Sequence, residues 1–220
     1  MSTRWTRVSG IAAAALLVAL CASCSSAYYR VMETLGKEKR HILTDRVEKG
    51  RDNQQKAKEQ FASAYEQFKA VTGFKGGKLE DAYDKLKREL DRSESRADAV
   101  RDSIRSIDRV AGDLFAEWRA EIKQMQNPDL RRRSEQNLAA TEQRYAGLIA
   151  AMRRSAEKME PVLQAFRDHV LFLKHNLNAQ AIASLQGQVA AIGNDVAALI
   201  RDMEASIKEA NSFINTLGQQ

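Results

Sequence analysis

The sequence predicts an all-α protein, an elongated antiparallel four-helix coiled-coil bundle that follows an N-terminal signal segment. A single apolar line with alternating steps of four and three residues runs through residues 79–125. These steps are the a/d pattern of a coiled-coil helix. Three further segments show the same steps. The 220 residues contain few helix-breaking residues, with 2 prolines and 11 glycines. A helix this long cannot bury its apolar line on itself, so the other segments must supply partner helices.

The N-terminal segment has the organisation of a secretory signal. Arg4 and Arg7 precede an apolar run over residues 11–21, and small residues follow that run. The run is shorter than the roughly 20 apolar residues that span a bilayer. We therefore predict a signal peptide over residues 1–23. The alternative is an uncleaved signal anchor in the inner membrane, formed by about residues 8–27.

The end of the signal segment resembles a bacterial lipobox. It reads Leu-Cys-Ala-Ser-Cys, with Cys24 in the position that is lipidated. Cys21 is a poorer candidate, because the preceding Leu20 is too large for such a cleavage site. The resemblance implies a lipid-modified Cys24, whose buried chains each contribute about 0.8 kcal/mol per CH₂ to anchoring. Because Ser25 stands where an aspartate would indicate inner-membrane retention, the resemblance favours the outer membrane, facing the periplasm.

The rest of the chain is predicted to form one helical domain over residues 28–220, joined to the lipidated cysteine by a tether of residues 24–27. The first helix is expected over about residues 28–72, and glycines form the turn that ends it. The second helix is expected over about residues 79–126. Asn127 is then the predicted N-cap of the third helix, with a proline at its first position.

The third and fourth segments keep the same steps over residues 138–173 and 182–217. Pro161 lies inside the third segment and is expected to kink it or to remove one hydrogen bond. The apolar phase slips between the two segments, where Asn178 is expected to cap the fourth helix after a tight turn. One continuous, kinked helix is the alternative. Near-equal lengths joined by short turns favour an up-down-up-down bundle.

Residues suited to catalysis or metal binding are few. Glu38 and His41 have the Glu-x-x-His spacing of di-iron bundles, but no second such pair exists and two basic residues lie between them. The glycines of residues 73–78 lack the spacing and the final Ser or Thr of a phosphate loop. His169 and His175 fit packed or capping histidines. We therefore predict no catalytic, metal-binding or cofactor-binding residue, no small-molecule substrate and no enzymatic activity.

Positive charge collects at two places in a chain of net charge +6. Basic side chains between residues 37 and 51 are interleaved with acidic ones, which is typical of a solvated helix face. Arg131, Arg132 and Arg133 instead occupy a helix start, where positive charge opposes the helix dipole.

In an antiparallel bundle, the turn before these arginines returns to the anchored end. We therefore predict that Arg131, Arg132 and Arg133 contact lipid phosphates, with a solvated helix end as the alternative. Tyr28 and Tyr29 follow the anchor directly, so they are expected either at headgroup level or as a cap on the bundle core.

Several stretches of the sequence resemble one family of bacterial proteins. The stretches are Tyr28-Tyr29, Glu33, Gly36, Lys39-Arg40, residues 45–48 and residues 173–181. The resemblance is to an uncharacterised lipoprotein family, domain of unknown function 2959, and it covers nearly all of the chain after the signal segment. It implies a helical, exported, lipidated protein of unknown activity, and it supplies no catalytic residue.

Together these observations predict an exported, lipid-anchored envelope protein that acts as a scaffold, spacer or docking module for a protein partner. The protein could also self-associate along the polar breaks at Gly50 and Gln54 of the first seam. One alternative is a basic-surface protein that binds membrane or cell wall. Another is a cytosolic coiled-coil protein associated with nucleic acid, which requires that the N-terminus is not a signal. Binding that weakens steeply with salt would favour these charge-driven alternatives.

Overall fold

The computed structural model describes residues 39–73, 79–176 and 178–217, and every regular element in these residues is an α-helix. The helices are α1 (Lys39–Thr72), α2 (Leu79–Gln124), α3 (Pro128–His175), α4 (Ala179–Gln186) and α5 (Val189–Leu217). The all-α prediction is confirmed. The predicted signal segment, the tether and the start of the first predicted helix lie outside the described residues.

The chain divides into two compact units, Met1–Ile42 and Leu43–Gln220. The contacts described below all lie within the second unit. The single helical domain expected over residues 28–220 stays a prediction.

Asn127 sets the start of α3, as the sequence predicts. Its backbone is extended, and its side-chain oxygen accepts hydrogen bonds from the backbone N–H groups of Asp129 at 3.0 Å and Leu130 at 3.1 Å. Two of the N–H groups that a helix start leaves without an intrahelical partner are thereby satisfied. Pro128 follows at the first helical position, where its missing N–H costs nothing.

Asn178 sets the start of α4 in the same way. Its side chain accepts a hydrogen bond from the backbone N–H of Ala181 at 2.9 Å. Asn176 ends α3, and its N–H donates to the carbonyl of Leu173 at 3.2 Å. The two helices are therefore separate, and the alternative of one continuous helix through this turn is wrong. Pro161 lies inside α3, as expected.

A second break divides the predicted fourth helix into α4 and α5, which the sequence analysis did not anticipate. Gly187 and Gln188 form the turn, and the N–H of Gln188 donates to the carbonyl of Leu185 at 3.0 Å. Such a bond, from residue i to residue i−3, tightens the last turn of a helix. Glycine favours the break because its helix propensity is about 1 kcal/mol below that of alanine. The apolar phase nevertheless continues, since Leu185 and Ile192 are both buried one heptad apart.

The seam predicted for the first helix is buried along the described part of α1. Its members are Leu43, Val47, Gly50, Gln54, Ala57, Phe61, Ala64, Phe68 and Val71. The four-three spacing is therefore confirmed for this helix, and it gives α1 one narrow buried stripe of the kind found in coiled coils.

The seam of α2 is buried as predicted from Leu86 to Leu114. Before it, Leu79 and Tyr83 are half-buried and Ala82 is buried instead, and after it the buried positions move by one. Phe115 and Ile122 are buried beyond that point, whereas the expected seam residues Trp118 and Glu121 are half-buried and exposed. A straight α-helix drifts by about 20° per heptad from a 3.5-residue repeat. Over about five heptads this drift amounts to one residue, so the strict heptad prediction is wrong for the last part of α2.

Polar and aromatic contacts show which helices are neighbours. Between α1 and α5 the contacts are Arg51 with Asn211, Lys58 with Glu204, and Tyr65 with the carbonyl of Val189. Between α1 and α2 they are Asn53 with Ser103 and Gln60 with Glu89. Between α2 and α3 they are Trp118 with Ser134, Arg101 with Glu160, and Glu94 with Arg167. Between α3 and α5 they are Tyr145 with Phe213 and Lys158 with Asp202. In each pair, residue numbers rise along one helix as they fall along the other, which is the order of antiparallel neighbours.

Gly193 of α5 leaves room for the side chain of Tyr65 from α1. A Cβ atom at Gly193 would lie 2.3 Å from the hydroxyl oxygen of Tyr65 and 2.8 Å from its Cζ atom. That hydroxyl donates a hydrogen bond to the carbonyl of Val189 at 3.3 Å. A Cβ atom at Gly112 of α2 would meet nothing within 4 Å. Packing therefore requires glycine at position 193, whereas position 112 has room for a side chain.

Alanine substitutions at these two glycines are expected to have opposite effects. Gly193→Ala should lower the free energy of unfolding by about 1–2 kcal/mol, because the new methyl group must displace the ring of Tyr65. Gly112→Ala should raise it by up to about 1 kcal/mol through helix propensity alone. Urea denaturation followed by circular dichroism measures both changes, and the same sign for the two variants would contradict the close contact between Gly193 and the Tyr65 ring.

Candidate functional site

Three of the predicted site residues, Cys24, Tyr28 and Tyr29, lie outside the described residues. Within residues 39–73, 79–176 and 178–217, no group of three or more His, Cys, Asp or Glu side chains is placed to hold a metal ion. No helix among these described residues has the length and apolar character needed to cross a membrane. The prediction that the protein lacks catalysis stays a prediction.

Arg131, Arg132 and Arg133 occupy the first turns of α3, and all three side chains are exposed. Arg132 forms an ion pair with Asp129 at 2.5 Å. The side chains of Arg131 and Arg133 make no hydrogen bond or ion pair with any described residue. The structure thus brings the three predicted arginines to one exposed helix start and leaves two of their charges without a partner in the described part of the chain.

Leu130 stands directly before these arginines and is 58% exposed. The sequence analysis did not single it out, because it precedes the seam of the third segment and one apolar residue carries little periodic signal. The signal that could have identified it is its position between an N-cap and three arginines. We refer to residues 123–133 as the α2–α3 turn surface. All of its side chains are exposed except that of Met125, which is half-buried.

A row of ion pairs joins α2 to α3. The pairs are Glu94 with Arg167 at 2.6 Å, Arg101 with Glu160 at 2.7 Å, and Asp108 with Arg153 at 2.5 Å. We refer to these six residues as the ion-pair row. Members of the row are one heptad apart on each helix, and their signs alternate along it. Sliding one helix by a heptad would therefore place like charges opposite each other, so the row favours one register of the two helices.

Arg167 connects two steps of the ion-pair row. Besides Glu94, it bonds Glu160 at 2.7 Å, and Glu160 also accepts from Arg101. The hydrogen bond from Arg167 lowers the pKa of the Glu160 carboxyl, and the bond from Arg101 adds to this effect. The sequence analysis missed the row because it followed apolar spacing alone. Charges repeating at heptad spacing beside both seams are the signal that could have revealed it.

Tyr145 links α3 to both α2 and α5. Its hydroxyl donates a hydrogen bond to Asp108, and its ring centroid lies 5.5 Å from that of Phe115 and 6.3 Å from that of Phe213. Burial raises the pKa of the Tyr145 hydroxyl, and the hydrogen bond and the negative charge of Asp108 raise it further. The hydroxyl therefore stays protonated and acts as a fixed donor rather than as a base.

A buried polar contact interrupts the apolar core between α1 and α3. The side-chain amide of Gln54 donates to the hydroxyl of Ser155 at 2.7 Å, and that hydroxyl donates to the carbonyl of Met152 at 2.8 Å. Gln54 and Ser155 are both 0% exposed. Gly50 is also buried, and a Cβ atom there would lie 2.8 Å from the side chain of Ile107. The two polar breaks named for self-association thus face the interior of the chain, where neither is available to a second copy.

His169 packs inside the structure, as one of the two sequence interpretations expected. Its ring centroid lies 5.0 Å from that of Phe68, and its side chain is half-buried. Burial lowers the pKa of the His169 imidazole, and the charge of Asp168 opposes this shift in part. The ring contact and the half-buried position are those of a packed histidine, and within the described residues His169 belongs to no group of side chains that could hold a metal ion.

A polar groove of about 290 Å³ lies between α1 and α2. Arg46 and Lys49 line one wall, and Asp102 and Ser106 line the other. Charges of both signs meet in this groove, which gives it no clear preference for an anionic or a cationic ligand.

The fold and these contacts define an all-α protein in which coiled-coil seams and inter-helix ion pairs hold long helices together. Residues 28–217 match the family model described as protein of unknown function (DUF2959), so the chain belongs to this family. Membership was predicted from the sequence and is confirmed. No curated protein and no solved structure matches the chain.

Reversing one charge of the ion-pair row should destabilise the protein. Arg153→Glu removes a pair and places two carboxylates together, so the free energy of unfolding is expected to fall by about 1 kcal/mol. Arg154→Glu is the control, because Arg154 is exposed and adjacent but belongs to no pair among the described residues. Urea denaturation in low and high salt tests this. The difference between the variants should shrink in high salt, and equal losses in low salt would show that the row contributes nothing.

His169 should make stability depend on pH. Because its folded-state pKa is lowered, the unfolded chain takes up the proton first as pH falls. The free energy of unfolding is therefore expected to decrease from about pH 7.5 to about pH 5, and His169→Leu should flatten this decrease. His175→Gln, at an exposed position, should leave the wild-type slope. Urea midpoints across this range provide the measurement, and a slope unchanged by His169→Leu would assign it to other groups.

Proposed function

We propose that this protein is an exported, lipid-anchored envelope protein that acts as a spacer or docking module for a protein partner, without catalysis. The observation that carries the proposal is the lipobox-like stretch ending at Cys24, followed by a chain of long helices. A lipid-modified residue fixes one end of a chain at a membrane surface. Helices packed against one another then provide a stiff support beyond that point.

The helices after the anchor are proposed to form an antiparallel four-helix bundle with one core, in which α4 and α5 together make the fourth member. Contacts of α1 with α2, α3 and α5 support this arrangement, as do those of α3 with α2 and α5. The buried Gln54–Ser155 contact joins α1 to α3, the pair that runs in the same direction in an up-down-up-down bundle.

The lengths of α2 and α3 support a spacer role. α2 has 46 residues and α3 has 48, so each spans about 70 Å at 1.5 Å per residue. Polar side chains cover most of the outside of these helices, and the large apolar side chains other than Leu130, Leu171 and Phe172 are buried or half-buried. A support of this length would hold a contact surface well away from the headgroups, where a partner in the periplasm can reach it.

The proposed lipid modification and membrane location are tested by the intact mass and the membrane partition of the expressed chain. Wild type should begin at an acylated Cys24 and remain with the membrane after a high-salt wash, because acyl chains are not released by salt. Cys24→Ser should lose both the modification and the cleavage. Cys21→Ser is the matched control and should behave as wild type. An unmodified full-length wild-type chain in the soluble fraction would contradict the proposal.

A further inference from the structure

The α2–α3 turn surface combines an exposed aliphatic side chain with positive charges that the fold does not use. Leu130 is 58% exposed, and Arg131 and Arg133 have no partner in the described part of the chain. Lys123 is exposed on the same surface and also lacks a partner among the described residues. The carboxylate next to Leu130 is that of Asp129, and its charge is paired with that of Arg132.

This arrangement is unfavourable for the isolated protein. Arg131 ends the first turn of α3, where positive charge opposes the helix dipole, whereas Lys174 lies in the last turn, where positive charge is favoured. Leu130 leaves most of its surface in water. Two unfavourable features at one exposed turn indicate a contact beyond the described residues that uses both of them.

We propose that the α2–α3 turn surface docks onto an anionic lipid surface, with Leu130 entering the interface and Arg131 and Arg133 contacting headgroup phosphates. An anionic membrane complements this combination because it offers negative charge at its surface and an apolar interior just below. Arginine side chains can lie along that boundary, with their stems in the apolar part and their guanidinium groups at the phosphates. A nucleic acid would also complement the positive charges, but it would not account for the exposed Leu130 beside them.

The proposal does not require that Cys24 is lipidated, since every residue that carries it lies between positions 123 and 133. The two cysteines of the chain can therefore both be replaced, which also frees the chain for labelling. Failure of this test would leave the proposed lipid anchor untouched.

The test uses the full chain with Cys21→Ser and Cys24→Ser, reconstituted with vesicles, and one fluorescent probe attached through Gln126→Cys in the exposed turn. Nitroxide-labelled lipids quench the probe only when the turn meets the membrane. A probe attached through Gln180→Cys, exposed on α4 at the other end of α3, reports any general association. Phosphatidylglycerol vesicles are compared with phosphatidylcholine vesicles, and circular dichroism checks that each variant is helical.

The probe at position 126 should be quenched in phosphatidylglycerol vesicles and not in phosphatidylcholine vesicles, with no quenching of the probe at position 180. Arg131→Ser with Arg133→Ser should lower the ratio of docked to undocked turns about 30-fold, since each arginine contributes about fivefold near an anionic surface. Leu130→Ser should lower it by about tenfold. Arg144→Ser with Arg154→Ser is the matched control, since both arginines are exposed on α3 and the change in charge is the same. This control should leave the ratio unchanged.

Equal loss of quenching for the two double variants would overturn the proposal, because general charge would then explain the effect. Equal quenching in neutral vesicles would overturn it as well. A short duplex DNA gives the remaining comparison, read as a change in probe emission without labelled lipid. If DNA alters the emission as strongly as phosphatidylglycerol does, and Leu130→Ser has no effect on either, the surface recognises polyanions and the lipid proposal fails.

Discussion

A long amphipathic helix in water must bury its apolar stripe against other helices, and the rest of this structure depends on that constraint. Most of the stability of a helix comes from the packing of its apolar face, and α1 packs its buried stripe where α2, α3 and α5 contact it. α3 packs most extensively, with α2 and α5 close against it along its length, and its side chains also contact α1. The protein is thus organised around α3, and the turns at its two ends decide which helices reach it.

Burial of apolar surface brings the helices together but does not by itself choose their register. Seams repeating every seven residues match equally well after a slide of one heptad. The ion-pair row and the Gln54–Ser155 contact break this degeneracy in different ways. The row opposes a slide by placing like charges together, and the buried amide opposes it because an unpaired polar group in the core is costly. Exposed pairs add little stability each, so specificity is their larger contribution.

The sequence predicted the parts of the fold that depend on local chemistry. Asn127 and Asn178 were identified as caps because an asparagine side chain can satisfy N–H groups two or three residues ahead, whatever the rest of the chain does. The seam of α1 was also predicted from the sequence. The shift at Phe115 was not predicted, because strict heptad spacing was assumed over a length at which helical drift amounts to one residue. The break at Gly187 was missed since the apolar phase crosses it unchanged.

The candidate site was predictable in part. The arginines at positions 131–133 stand out as a run of like charge, whereas the exposure of Leu130 depends on which face of α3 the neighbouring helices leave uncovered. The ion-pair row could not be predicted from the sequence of either helix alone, because its pairs form only when α2 and α3 are aligned antiparallel. Cys24 was assigned from a local pattern of residues, which needs no knowledge of the fold.

The alternating signs of the ion-pair row also limit how the length of this protein can change during evolution. Loss of one heptad from the middle of α3 would keep the seam in phase but would set arginine opposite arginine beyond the deletion. Loss of two heptads would restore both the seam and the charges. Members of this family that have the same alternating charges but differ in helix length are therefore expected to differ by pairs of heptads, or by matched changes in α2 and α3 that preserve the alignment.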